Sequence, residues 1–147
     1  QQNLMMFYTG DVRSANSILS EQKKNMDAED KITNLRKMCK LAEQMREALE
    51  LDDLSSFGDL LNDGWKLKQT LANGISNPII DQAYQTAMAN GALGGKLLGA
   101  GGGGFLLFYC EPENQEKLRV ALRLRSFPFS FEKDGTSVVY IGDKYWN

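Results

Sequence analysis

Apolar residues along the chain alternate between two spacings. Leu4-Met-Met-Phe-Tyr8 is a short unbroken apolar run closed by Thr9-Gly10, which predicts a buried strand. A helix is expected from about Ser14 to Lys24, with Ile18 and Leu19 as its apolar pair. Ile32, Leu35, Met38, Leu41, Met45 and Leu49 then recur at steps of three and four, predicting a helix from about Ala28 to Leu51 with one apolar face. That stripe lasts only about two and a half heptads, so core packing is expected rather than a coiled coil. A third helix should run from about Asp53 to Ala72, with Leu54, Phe57, Leu60, Leu61, Trp65 and Leu71 inward and Gly74 as a left-handed cap. Gly58 and Gly64 each weaken it by about 1 kcal/mol. Ser76-Asn-Pro78 opens a fourth helix, with a capping side chain followed by proline in the first turn. Asp81 suits the positive end of that helix dipole. Ile80, Ala83, Tyr84, Ala87 and Met88 form the inward face, and Gly91 ends it.

The second half reads differently. Phe105–Cys110 is a fully buried strand by pattern, and Glu113–Arg125 a helix led by Pro112, with Leu118, Ala121 and Leu122 inward. Phe127, Phe129 and Phe131 alternate up to Asp134-Gly135, a strong two-residue turn signal, and Val138 and Tyr140 alternate on the return. The tail therefore predicts a hairpin with five large side chains on one face. Strands separated by helices, with a hairpin to close, predict an α+β fold: a small, mostly antiparallel sheet covered by helices on one side. The 147 residues suit one domain.

Composition removes several functions. A net charge of −2 leaves no basic footprint for nucleic acid. The apolar run Phe105–Cys110 is far too short to span a bilayer, so no membrane partner is expected. Cys39 and Cys110 have neither metal nor redox spacing, no metal ligands are expected, and the absence of histidine rules out a Ser-His-Asp or Cys-His site within the chain. The chain opens on Gln1-Gln-Asn without methionine or a basic leader, which suggests a piece of a longer protein.

The candidate chemistry lies in glycine. Eight of fourteen glycines fall between Gly91 and Gly104, with Lys96 among them. Gly99-Ala-Gly-Gly-Gly-Gly104 fits the dinucleotide pattern G-x-G-x-x-G, but a strand follows it where that motif needs a helix. Gly95-Lys96 suggests a Walker A loop, yet Asn90 stands where its first glycine belongs and Leu97 where Ser or Thr should bind magnesium. What remains is a strand-like Lys96-Leu-Leu, a loop Gly99–Gly104 and a strand. Such glycine amides can form a nest for an anion with Lys96 as a rim charge, or the loop can simply close the sheet. The residues alone leave both open.

Lys96-Leu-Leu-Gly-Ala-Gly-Gly-Gly-Gly104 resembles the third motif of the GHMP kinase superfamily. The longer run from Ile75-Ser-Asn-Pro-Ile-Ile-Asp81 through Gly91-Ala-Leu-Gly-Gly-Lys96 to Phe105, with Trp65-Lys-Leu-Lys68 and Phe7-Tyr-Thr-Gly10 plus Arg13, is similar to the C-terminal part of its heptose 7-phosphate kinase branch. The resemblance covers nearly the whole chain. It implies a ferredoxin-like C-terminal domain over residues 1–147, partnered by an N-terminal domain that carries the main phosphate loop and a catalytic aspartate upstream of Gln1. It further implies ATP- and Mg2+-dependent phosphorylation of the anomeric hydroxyl of D-glycero-D-manno-heptose 7-phosphate in the cytoplasm; a homodimer is compatible with it. Gly99, Ala100, Gly101, Gly102, Gly103 and Gly104 would present backbone to the phosphate loop or the transferred group, with Lys96 nearby. Thr9 and Arg13 match a segment lining the acceptor pocket, the alternative being a turn-forming Thr9 and a surface Arg13, and Val12 replaces the hydroxyl residue common before that arginine. The isolated chain is expected to be inactive, Gly101→Val to abolish transfer while sparing the fold, and an apolar patch to lie along Leu4–Tyr8 or beside the glycine loop. The rivals are a metabolite-sensing α+β module without catalysis, a helix-mediated interaction module, and another kinase of the superfamily, of galactose or mevalonate class.

Overall fold

A computed structural model describes residues 1–10, 15–25 and 28–138. Strands β1 (Leu4–Tyr8), β2 (Ala92–Leu97), β3 (Phe105–Cys110) and β4 (Arg125–Phe127) form one antiparallel sheet in the order β2-β3-β1-β4. Helices α1 (Ala15–Asn25), α2 (Glu29–Glu50), α3 (Leu54–Gln69) and α4 (Pro78–Ala89) intervene between β1 and β2, and α5 (Gln115–Leu122) between β3 and β4. The α+β class and the antiparallel sheet are as the pattern predicts.

The pleat of β1 divides the sheet into two unlike faces. Met5 and Phe7 are buried, and their partners Phe108 and Leu106 on β3 share that face. Trp65, Ile75, Ile80, Tyr84, Leu118 and Leu122 pack into the same core, which brings α3, α4 and α5 together over it. The Tyr84 ring lies 5.5 Å from Phe108 and 6.1 Å from Trp65, so Trp65 is a core residue, as the helical pattern predicts. On the opposite face Leu4, Met6, Tyr8, Phe105 and Leu107 are half-buried, so the exposed apolar patch expected along β1 is present only in part. Tyr8 and Phe127 flank Phe105 there, at 5.2 and 5.5 Å between ring centres.

Helix starts follow their capping residues. Asp53 accepts a hydrogen bond from the Ser56 amide at 3.1 Å, and Asn77 accepts one from the Ile80 amide at 3.0 Å, with Pro78 in the first turn of α4. Several ends differ from the pattern. α3 stops at Gln69, before the buried Leu71 and Ala72, and α5 is confined to Gln115–Leu122 because Arg123 turns left-handed at φ 52°. The α2 stripe is only half-buried, with Leu49 53% exposed, since α2 packs on α3 and not on the sheet.

The predicted hairpin does not form among the described residues. Strand β4 pairs with β1, and its ladder ends where Pro128 has no N–H to donate. Phe131 and Val138 are exposed, and Tyr140 lies outside the described residues. The glycine-rich Ala92–Lys96, which pattern alone leaves unassigned before Lys96, is instead most of β2. Its glycines answer a steric demand. A β-carbon built on Gly94 would lie 1.9 Å from the Gly58 carbonyl oxygen, so backbone of α3 rests directly on backbone of β2. Gly94→Ala should therefore destabilise the domain by about 3 kcal/mol or more, a forced overpacking that reversible denaturation would measure.

Candidate functional site

The turn from β2 to β3 spans Leu98 to Gly104 and is anchored from three directions. On one side it beds against the segment before α4. The Gly102 amide donates to the Ile75 carbonyl at 2.9 Å, and a β-carbon on Gly101 would lie 2.7 Å from the Ile75 Cα. Gly101 also adopts φ +129°, a conformation that disfavours any side chain. Gly101 and Gly102 are consequently buried. The expectation that Gly101→Val spares the fold is overturned, because valine there collides with main chain.

On the second side, Thr9 closes the loop onto the end of β1. Its amide donates to the Gly104 carbonyl at 2.9 Å; its hydroxyl accepts from the Gly104 amide and donates to the Gly104 carbonyl, both at 3.0 Å. Of the two roles expected for Thr9, substrate contact or turn formation, the structure gives its hydroxyl one of the second kind, holding the loop. Arg13 and Val12, which follow it, lie outside the described residues.

On the third side stands a residue that sequence reasoning missed. Lys68, in the last turn of α3, donates from Nζ to the Gly99 carbonyl at 2.6 Å and to the Leu97 carbonyl at 3.3 Å. Burial, with the neighbouring Lys96 charge added, pulls the Lys68 ammonium below the usual lysine range. Asn77 was also missed beyond its capping role: while its Oδ1 caps α4, its Nδ2 donates to the Gly102 carbonyl at 3.3 Å. The only signal for either was membership in the Trp65–Lys68 and Ile75–Asp81 stretches. Lys96 itself is half-buried and lines, with Lys68, a cavity of about 220 Å³ between α2 and α3. Its backbone pairs with Leu107 in the sheet, while among the described residues its ammonium makes no hydrogen bond or ion pair.

These anchors leave a defined remainder. Among the described residues the amides of Gly99, Ala100, Gly101 and Gly103 have no acceptor. Gly99, at φ +79°, has open space where a side chain would stand. The loop thus offers main-chain donors beside carbonyls that are already occupied, an arrangement suited to an anion or to another segment's carbonyls. Just behind it, the buried Tyr84 hydroxyl accepts from the Gly95 amide at 3.1 Å and lies 2.9 Å from Asn62 Oδ1, fixing β2 near its irregular register at Ala92/Gly94. Burial pushes that hydroxyl up to about 12, so it stays protonated. No group of three or more His, Cys, Asp or Glu side chains among the described residues is placed to hold a metal ion. None of the described helices is long and apolar enough to cross a membrane.

Comparison with known proteins agrees with this geometry. The family described as GHMP kinases C terminal matches residues 45–127. D-glycero-alpha-D-manno-heptose 7-phosphate kinase of Campylobacter jejuni is 31% identical over 134 residues, covering 89% of this chain and 40% of that protein. The bifunctional fucokinase/GDP-fucose pyrophosphorylase of Arabidopsis thaliana is 32% identical over 83% of this chain and 12% of its own length. The crystal structure of Methanococcus jannaschii mevalonate kinase superposes with a TM-score of 0.70 at 26% identity, over 84% of this chain and 38% of that one. The chain therefore spans well under half the length of each of these relatives. With the family match running through the glycine turn and ending on β4, this chain belongs to the GHMP kinase C-terminal domain family.

Proposed function

We propose that this chain is one wall of a phosphoryl-transfer site in an ATP-dependent kinase whose acceptor is the anomeric hydroxyl of D-glycero-D-manno-heptose 7-phosphate. The observation that carries the proposal is the turn of unpartnered amides at Gly99, Ala100, Gly101 and Gly103, held in place by Lys68, Asn77 and Thr9. The heptose acceptor is supported by the Campylobacter relative. In the transfer, the acceptor oxygen bonds to the γ-phosphorus while the bond to the bridging oxygen of ADP breaks. The acceptor's proton passes to a base outside this chain. Such transfer depends on positioning and charge stabilisation far more than on covalent help from the protein. The turn supplies positioning, either by donating to phosphoryl oxygens or by bracing the segment that holds them. Thr9 is assigned to the acceptor side by the resemblance and acts chiefly through Gly104; Arg13, outside the described residues, is assigned there by the resemblance alone. Mg2+ would serve as charge partner of the nucleotide, and no ligand for it is assigned to this chain. The reaction is assigned to the cytoplasm, where ATP is held.

Steady-state kinetics of the full-length protein test the acceptor. The ratio kcat/KM should favour the heptose phosphate over mevalonate, L-fucose and galactose by at least ~100-fold. Preference for another of these overturns the acceptor, and failure to consume ATP with any of them overturns the kinase proposal. The present chain by itself should show no turnover. Two glycine variants test the turn. Gly99→Ala, with open space around it, should cost about 1–2 kcal/mol of stability for its left-handed backbone and lower kcat about 100-fold. Gly101→Val should instead lower the thermal midpoint sharply, so that lost activity follows lost fold.

A further inference from the structure

Lys68 does something that neither the family match nor the glycine motif explains. It sits half-buried at the end of α3, in a groove with Met38, Leu41 and Met45 of α2, Trp65 of α3 and Lys96 of β2. No carboxylate lines that groove, and among the described residues Lys68 forms no ion pair. A cation in such a place is disfavoured unless its protons find acceptors. The acceptors are two main-chain oxygens, those of Leu97 and Gly99.

Holding a carbonyl also sets the amide that follows it. In a trans peptide the C=O and the next N–H point in opposite directions across one rigid plane. With the Gly99 oxygen drawn 2.6 Å from Lys68 Nζ, the Ala100 N–H is turned away from α3. Asn77 does the same at Gly102: with that oxygen held by its side chain, the Gly103 N–H is turned away from the start of α4. Ala100 and Gly103 are two of the four amides without an acceptor. The peptide planes that are gripped from behind are thus the ones that present free donors in front.

We infer that Lys68 is a positioning residue for phosphoryl transfer: by gripping the Gly99 carbonyl it aims the Ala100 amide at the phosphate-bearing side of the site. The inference rests on the proposed role of the turn. It differs from a phosphate-binding lysine, because the ammonium donates to two main-chain oxygens of this chain, those of Leu97 and Gly99. Lys68 is a cleaner subject than Asn77, whose substitution would also remove the α4 cap.

The test compares Lys68→Met, Lys68→Gln and Gly99→Ala in the full-length kinase, with thermal midpoint, kcat and acceptor KM measured for each. Misdirecting one aimed donor should lower kcat of Lys68→Met about 100-fold, with acceptor KM within about twofold and the fold retained. Lys68→Gln keeps an N–H donor and should recover most of the loss. If Lys68→Met keeps wild-type kcat while Gly99→Ala loses it, the role of Lys68 is overturned and that of the turn survives. If both keep it, the turn itself is not part of the site. If both Lys68 variants unfold, or lose activity only in proportion to folded protein, Lys68 is structural and the inference fails.

Discussion

The approach of α3 to β2 is the contact on which the rest of the domain depends. Helix and strand meet backbone to backbone at Gly58 and Gly94, with no room for a β-carbon on the strand. Side chains of ordinary size would hold the two elements several ångströms further apart. At the distance found, Trp65 lies 2% exposed in the core and Lys68, one turn on, reaches the strand's last carbonyls. A helix displaced by a single methyl layer would leave Lys68 short of Gly99. The glycine in β2 thus governs the glycine turn beyond it.

The turn inherits rigidity from three elements that are remote in sequence. Thr9 reaches it from the end of β1, Lys68 from α3, and Ile75 with Asn77 from the start of α4. Each glycine costs about 0.5–1 kcal/mol relative to alanine in a regular element, and a flexible turn would lose the benefit of that cost. Here the chain is fixed before any ligand arrives. Donors that need not reorganise as charge shifts are the ones that stabilise a transition state most.

Much of this was legible in the sequence, for identifiable reasons. The strand Leu4–Tyr8, the capped start of α4 and the antiparallel α+β class follow from local spacing and capping chemistry. Three features were hidden because they depend on tertiary contact. The β2 strand was masked by glycines whose reason is the overlying helix, which no local pattern records. The tail signalled a hairpin by alternation and Asp134-Gly135, yet β4 found its partner in β1, more than a hundred residues earlier. Lys96 drew attention by standing among glycines, while Lys68, separated from the turn by some thirty residues, makes the contact. The glycine turn stands out in the sequence by its composition, but its division into buried, docking glycines (Gly101 and Gly102) and open ones (Gly99) required the fold.

A wall made of main-chain amides has a consequence for specificity. If the proposed role of the turn holds, the peptide N–H groups of Ala100 and Gly103, which have no acceptor among the described residues, would meet a phosphoryl oxygen by charge and direction and carry no information about the acceptor. The relatives bear names with different acceptors, a heptose phosphate, fucose and mevalonate, over one shared architecture. If the turn serves the common donor, acceptor choice must lie in side chains elsewhere. Within this chain Thr9, just past the end of β1, is tied to the same turn through Gly104. Donor chemistry carried by backbone and acceptor chemistry carried by side chains would let one fold change substrates without rebuilding its phosphate site.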